Sequence, residues 1–181
     1  MMNKAVPVDD SLNDFNINGN FTPFTDSVSS MEWMPASPSN PNPLNMIAVT
    51  TWDGSLRVYE VKQSGSIGYL HEVTCITAQN PINCCTWNSD TNTSITFATI
   101  DGGIHNVDLT TSNVNQIASC NDVISNIHYV PTSNCIVSIG YDKIINFWQA
   151  NNQNAVYTHN TPSKIYVSDY ANGILAAGTE E

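Results

Sequence analysis

The sequence predicts an all-β fold built from a repeated multi-stranded unit, and two observations predict it. The first is a turn-and-strand stretch that recurs: Thr51-Trp52-Asp53-Gly54-Ser55-Leu56-Arg57-Val58-Tyr59-Glu60-Val61, then Asp101-Gly102-Gly103-Ile104-His105-Asn106-Val107, then Asp142-Lys143-Ile144-Ile145-Asn146-Phe147-Trp148. Asp-Gly is a strong turn dipeptide, because Gly reaches positive φ freely and Asp bonds its own downstream backbone. After the turn, Leu56 and Val58 face one way while Arg57, Tyr59 and Val61 face the other, which is the period of a strand. The second observation is the spacing: Asp53, Asp101 and Asp142 recur at intervals of about 41 to 48 residues.

A repeat of that length with several short strands marks a β-propeller of the WD40 type. The chain therefore reads as a partial propeller over residues 27–181, with three blades at about 27–75, 82–119 and 124–159 and an incomplete fourth at 165–181. Residues 1–26 read as an N-terminal arm, polar at its start, in which Asn13-Asp14-Phe15-Asn16-Ile17 could add a strand that completes the last blade. In the first unit Val28, Met31 and Trp33 mark an inner strand. The stretch from Met34 to Pro43 carries four prolines; proline supplies no ladder donor, so this is a loop. Met46 to Thr50, Leu56 to Val61 and a segment within Ile67 to Cys75 are the next strands.

The second unit runs Ile82 to Trp87, Ile95 to Thr99, Ile104 to Asp108 and Val114 to Ser119. The third runs Ile124 to Tyr129, Cys135 to Ile139, Ile144 to Trp148 and Ala155 to His159. Trp33, Trp87 and Tyr129 hold equivalent places and read as core aromatics. The fourth unit opens at Ile165 to Asp169, continues with Ile174 to Thr179, and the sequence stops at Glu181. Propellers protect their edges by radial closure. The expectation is the N-terminal half of a longer protein or a truncated product; self-association that completes the ring is the third reading.

Composition narrows the function classes. Net charge is −11 with five Lys and Arg residues, which argues against an extended phosphate-binding surface and against RNA association. No run approaches the roughly 18 apolar residues that span a membrane, and no secretory signal is read at the N-terminus. Sequons at Asn20 and Asn92 carry little weight without one. Five cysteines, Cys75, Cys84, Cys85, Cys120 and Cys135, lack metal-ligand spacing and read as buried reduced thiols. Adjacent Cys84 and Cys85 would point to opposite faces of a strand. His71, His105, His128 and His159 are scattered, no Gly-rich phosphate loop occurs, and neither catalysis, a metal nor a cofactor is expected.

Several stretches together resemble the nuclear-pore-associated mRNA export factors, the RNA export and Gle-type family of WD-repeat proteins. Asn13-Asp14-Phe15-x-Ile17 with Asp26-Ser27-Val28-Ser29-Ser30-Met31 is similar to that family's approach to its first blade. The Pro-rich excursion ending in Ile47 to Val61 resembles its long first-blade loop and Trp-Asp strand. Ile127-His128-Tyr129, Gly140 to Trp148, Pro162-Ser163-Lys164-Ile165-Tyr166 and Ala176-Ala177-Gly178-Thr179-Glu180 resemble later stretches in the same order. The spindle-checkpoint WD proteins are the nearest cousins. They share the Trp-Asp turn and a Lys-x-Tyr lead-in to blade four, but have a shorter first-blade loop.

The resemblance implies a seven-bladed, non-enzymatic adaptor that binds a short acidic-containing peptide segment of a nucleoporin, or of checkpoint kinases for the cousin. It implies a location at the nucleus and nuclear envelope, with cytoplasm. Trp52 matches the aromatic before the first turn Asp, Tyr141 its counterpart in the third blade, and Arg57 and Lys143 are the nearby cations. Trp52 is read either as a hot-spot aromatic or as a side chain packed between blades. Asp53, Asp101 and Asp142 are turn formers. WD blades commonly place a His in the loop before the first strand, bonded toward that Asp; Ala78 and Cys120 stand there, so the aspartates are expected to lack that partner.

Overall fold

The computed structural model describes residues 23–36, 45–64, 67–88, 93–149 and 153–180. The strand read at residues 13–17, the sequon asparagines and most of the Pro-rich excursion lie outside them. The first sheet is β1 (Val28–Trp33), β2 (Met46–Thr51), β3 (Ser55–Ser64) and β4 (Ile67–Thr77), in that spatial order. The second is β5 (Ile82–Trp87), β6 (Ser94–Thr99), β7 (Gly103–Asp108) and β8 (Asn113–Ser119). The third is β9 (Ile124–Val130), β10 (Cys135–Gly140), β11 (Ile144–Gln149) and β12 (Tyr157–Asn160). A hairpin of β13 (Ile165–Ala171) and β14 (Ile174–Thr179) follows. Every neighbouring pair is antiparallel, as short connections require. This is an all-β architecture of partial WD40 propeller blades.

The second strand of each sheet explains the stacking. Met-Ile-Ala-Val-Thr-Thr, Ser-Ile-Thr-Phe-Ala-Thr and Cys-Ile-Val-Ser-Ile-Gly are rich in β-branched and small apolar residues and are buried almost throughout. A strand buried on both faces reads as a continuous apolar run because a sheet covers each side. Leu56 and Val58 meet Ile82, Cys85, Trp87, Ile95 and Phe97 between the first and second sheets. Cys84, Ala98 and Ile104 meet Ile124, Ile127, Tyr129 and Trp148 between the second and third. Val137, Ile139 and Ile145 meet Ile165 of the hairpin. Cys84 and Cys85 thus serve opposite cores, as the strand period requires.

Two expectations need correction. Trp87 is 1% exposed and Tyr129 is buried, but Trp33, at the equivalent place, is 56% exposed. Trp87 and Tyr129 pack toward the preceding sheet: the Trp87 indole N–H donates to the Glu32 carbonyl at 2.9 Å, and Tyr129 joins the core with Cys84 and Ile104. Among the described residues no sheet precedes β1 to cover Trp33. The cysteines are likewise not uniformly buried: Cys84, Cys85 and Cys135 are, Cys120 is half-buried and Cys75 is exposed on the outer strand.

Candidate functional site

The β2–β3, β6–β7 and β10–β11 turns share one backbone arrangement. The residue before each Asp donates its N–H to the residue that leads into the same sheet: Trp52 to Ser27, Ile100 to Pro81 and Tyr141 to Val123, each at 3.0 Å. The residue after each Asp accepts from the connection leaving the sheet: Gly54 from Ala78 at 2.8 Å, Gly102 from Cys120 at 2.9 Å and Lys143 from Thr161 at 2.8 Å. Turns and connections are therefore locked together on one face. Gly54 and Gly102 hold φ of +82° and +84°, and Lys143 takes the same left-handed conformation at +68°.

The turn aspartates accept bonds from hydroxyl, amide and backbone N–H groups. Asp53 accepts from the hydroxyls of Thr25 and Thr51 and from the Ser55 N–H at 2.9 Å. These bonds hold its carboxyl well below the usual carboxylate range. Asp101 accepts from the Thr99 hydroxyl at 2.6 Å and from the Asn80 amide at 2.8 Å, and its pKa is lowered chiefly by Thr99. Asp142 accepts from the Ile144 N–H at 3.1 Å; Gly140 stands where the first two turns have Thr, so no hydroxyl reaches it from that position. The signal for the substitution is Thr-x-Asp-Gly, present twice in the sequence.

Trp52 is 41% exposed on this face, Tyr141 is half-buried, and its ring lies 6.3 Å from that of exposed Tyr166. Lys143 is exposed, its ammonium donating to the Pro162 carbonyl at 3.2 Å, and exposed Lys164 precedes Tyr166 by two residues. Ile100 holds the place of Trp52 and Tyr141 in the second turn and is also exposed; sequence reasoning passed over it because it is not aromatic. Arg57 is not on this surface. It is 4% exposed, with its guanidinium 4.6 Å over the Phe24 ring, 3.9 Å from Glu72 and donating to the Pro23 carbonyl at 3.3 Å. Its long side chain ties the incoming chain to the first sheet.

On the inner strands, the Thr86 hydroxyl donates to the Glu32 carboxyl at 3.3 Å, and the His128 ring bonds Ser168 at 2.7 Å. Burial pushes Glu32 up to about 8 and holds His128 and His105 below the ordinary imidazole value. Among the described residues, no three His, Cys, Asp or Glu side chains gather as a metal site.

No protein-family model matches the chain. It is 28% identical over 170 residues to protein Rae1 of Drosophila melanogaster, covering 93% of this chain and 46% of that protein. It is 28% identical over 138 residues to the mitotic checkpoint protein bub-3 of Caenorhabditis elegans, covering 75% of this chain and 39% of the relative. It is 25% identical over 166 residues to the poly(A)+ RNA export protein of Schizosaccharomyces pombe, covering 88% and 43% respectively. A chain in a crystal structure of the mitotic checkpoint complex superposes with a TM-score of 0.66 at 17% identity, over 87% of this chain and 48% of that one; at that identity the likeness shows the fold. The chain spans less than half the length of these curated relatives. Read with the turn motifs and the sheet architecture, these matches make the chain a WD-repeat homologue of the Rae1/Gle2 mRNA export factors and the Bub3 mitotic checkpoint proteins.

Proposed function

We propose that the chain is a non-catalytic WD-repeat adaptor of the mRNA export type. It docks a short nucleoporin segment on its turn face and so supports poly(A) RNA export at the nuclear pore. The observation that carries this reading is the row of Trp52, Ile100 and Tyr141, each backbone held at the same place by a 3.0 Å hydrogen bond. Large side chains on rigid, pre-organised backbone are what hot spots are made of, because little freedom is lost on binding. Lys143 and Lys164, two of only five Lys and Arg residues, belong to the connections around Tyr141 and Tyr166, and acidic residues of the segment would meet them. The acidic whole repels RNA, so RNA is reached through partners. The nucleus and its envelope, with cytoplasm, are the matching location.

The test is titration of a nucleoporin-type acidic peptide, followed by tryptophan fluorescence and calorimetry. Trp52→Ala and Tyr141→Ala are each expected to weaken binding about tenfold or more, the size of a hot-spot truncation. Lys143→Glu is expected to weaken it and to flatten its salt dependence. Absence of binding by the unmodified chain, or equal binding by both aromatic variants, sinks the reading. A checkpoint-type scaffold is the second reading, favoured by Lys164-Ile165-Tyr166 and the Tyr166 ring 6.3 Å from Tyr141. Pulldown against nucleoporin and checkpoint-kinase segments separates the two.

A further inference from the structure

The connections leading into the first three sheets each set one side chain over the turn and third strand of the sheet they enter. These are Phe24, Ala78 and Cys120, each three residues before the carbonyl that accepts from the turn: Ser27, Pro81 and Val123. The side chain four residues after each turn Asp faces them: Arg57, His105 and Asn146. In the first sheet the space is filled, with the Phe24 ring 4.6 Å from the Arg57 guanidinium and 6.5 Å from Tyr59. In the third it is filled by sulfur, the Cys120 thiol lying 3.6 Å from the Ser138 hydroxyl and 3.8 Å from the Asn146 amide. In the second, Ala78 presents a methyl group only. A cleft of about 390 Å³ remains, lined among others by Ala78, Asn80, Asp101, His105, Val114 and Gln116.

We propose that this cleft binds a guanidinium group, that of an arginine side chain offered by a partner protein. Asp101 supplies the acceptor for a cation. One Asp101 oxygen accepts the Asn80 amide at 2.8 Å, while the other takes Thr99 and Gly103; a carboxylate oxygen accepts two bonds. The Thr99 hydroxyl holds Asp101 below the usual carboxylate range and burial holds His105 below the ordinary imidazole value, both of which favour a cationic ligand. Among the described residues no Lys or Arg lines the cleft. One face of the His105 ring stacks on Phe97, centroids 5.1 Å apart and 16° from parallel, which holds the imidazole flat as a platform for a planar cation. Exposed Val114 flanks the opening and can cover a methylene stem.

The backbone is cut to fit this arrangement. A Cβ on Gly103 would lie 2.7 Å from His105 Nε2 and 2.8 Å from the Thr99 hydroxyl, so only glycine lets the imidazole lie against the turn. The surrounding field has the right sign, since the chain carries −11.

The test is an NMR titration of the full chain with N-acetyl-arginine amide, and with N-acetyl-citrulline amide as the uncharged isostere. The arginine probe is expected to shift the His105 ring and Gly103 amide signals saturably, and citrulline to bind at least about tenfold more weakly, having lost the charge-assisted bond. Ala78→Phe, which copies the first sheet, is expected to abolish the response. Ala78→Cys, which copies the third at smaller cost in volume, is expected to weaken it. Trp52→Ala is expected to leave it unchanged, so the cleft stands or falls apart from peptide docking on the turn face. A response absent in the unmodified chain, equal for citrulline, or unchanged in the Ala78 variants overturns the proposal.

Discussion

Replacing Glu32 by Gln is expected to make the protein more stable at alkaline pH and to remove part of its pH dependence. Glu32 sits on β1 where the first two sheets meet. Its carboxyl accepts from Thr86 at 3.3 Å while its own carbonyl accepts from the Trp87 indole at 2.9 Å. Burial, with a smaller contribution from the negative charge of Asp169, raises it from the ordinary 4.5 to about 8. Between those values the folded chain holds a proton that the unfolded chain has released. Stability therefore falls as pH rises through the window and levels off above about 8. At about 1.4 kcal/mol per pH unit the ceiling is about 5 kcal/mol. Glu32 keeps part of its surface in water, which screens the charge, so about 2–3 kcal/mol is the working expectation. His105 and His128, held low by burial, act with the opposite sign: their stability rises with pH and is complete once the unfolded value near 6.5 is passed. The interval from about 6.5 to 8 therefore belongs to Glu32. Gln keeps an acceptor for Thr86 and carries no charge. Thermal melts of both chains by circular dichroism at pH 5 and pH 8.5 should start close together and then separate. Glu32→Gln should melt about 4–12 °C higher at pH 8.5, using about 2–4 °C per kcal/mol for a chain of this size. Parallel melting curves across that range would refute the reasoning and show that the Glu32 carboxyl is hydrated.

Thr51→Val removes a hydroxyl that bonds Asp53 and leaves the chain isosteric. It should cost about 1–2 kcal/mol in urea melts at pH 7. The difference should shrink as pH falls below the ordinary carboxylate range and Asp53 takes up its proton, because a depressed carboxyl stabilises only while ionised. Trp87→Ala should cost about 3–5 kcal/mol by opening a cavity in the core between the first two sheets, while Trp33→Ala, at 56% exposure, should stay within about 0.5 kcal/mol; denaturant midpoints compare them directly. Gly102→Ala should cost more than about 1 kcal/mol, since its φ is +84° and the added Cβ would overlap the Cys120 carbonyl; a smaller change in midpoint would mean that the turn relaxes.

What could be read in advance was whatever depends on neighbours in sequence. Asp-Gly turns, the alternation through Leu56 to Val61 and the apolar second strands each express a local rule, and the sheets follow from them. Trp33 and Trp87 show where local rules stop. They hold the same register place, and only the sheet in front of Trp87 makes it core. Arg57 shows the same limit at the site. A cation in a strand carries no mark of its direction, and Arg57 turns inward because Phe24, 33 residues earlier, supplies an aromatic face and the Pro23 carbonyl an acceptor. Ile100 shows the opposite limit: its side chain carries no aromatic signal, while the feature that defines the place is a backbone N–H bonded to the connection before the sheet. The cleft beside Ala78 is the plainest case. An alanine in a loop is silent in a sequence, and it acquires meaning only when three sheets are laid over one another and the same place holds a phenyl ring, a methyl group and a thiol. A propeller repeats its backbone closely enough that such differences among blades, more than any single residue type, mark where one blade has been left open to something from outside.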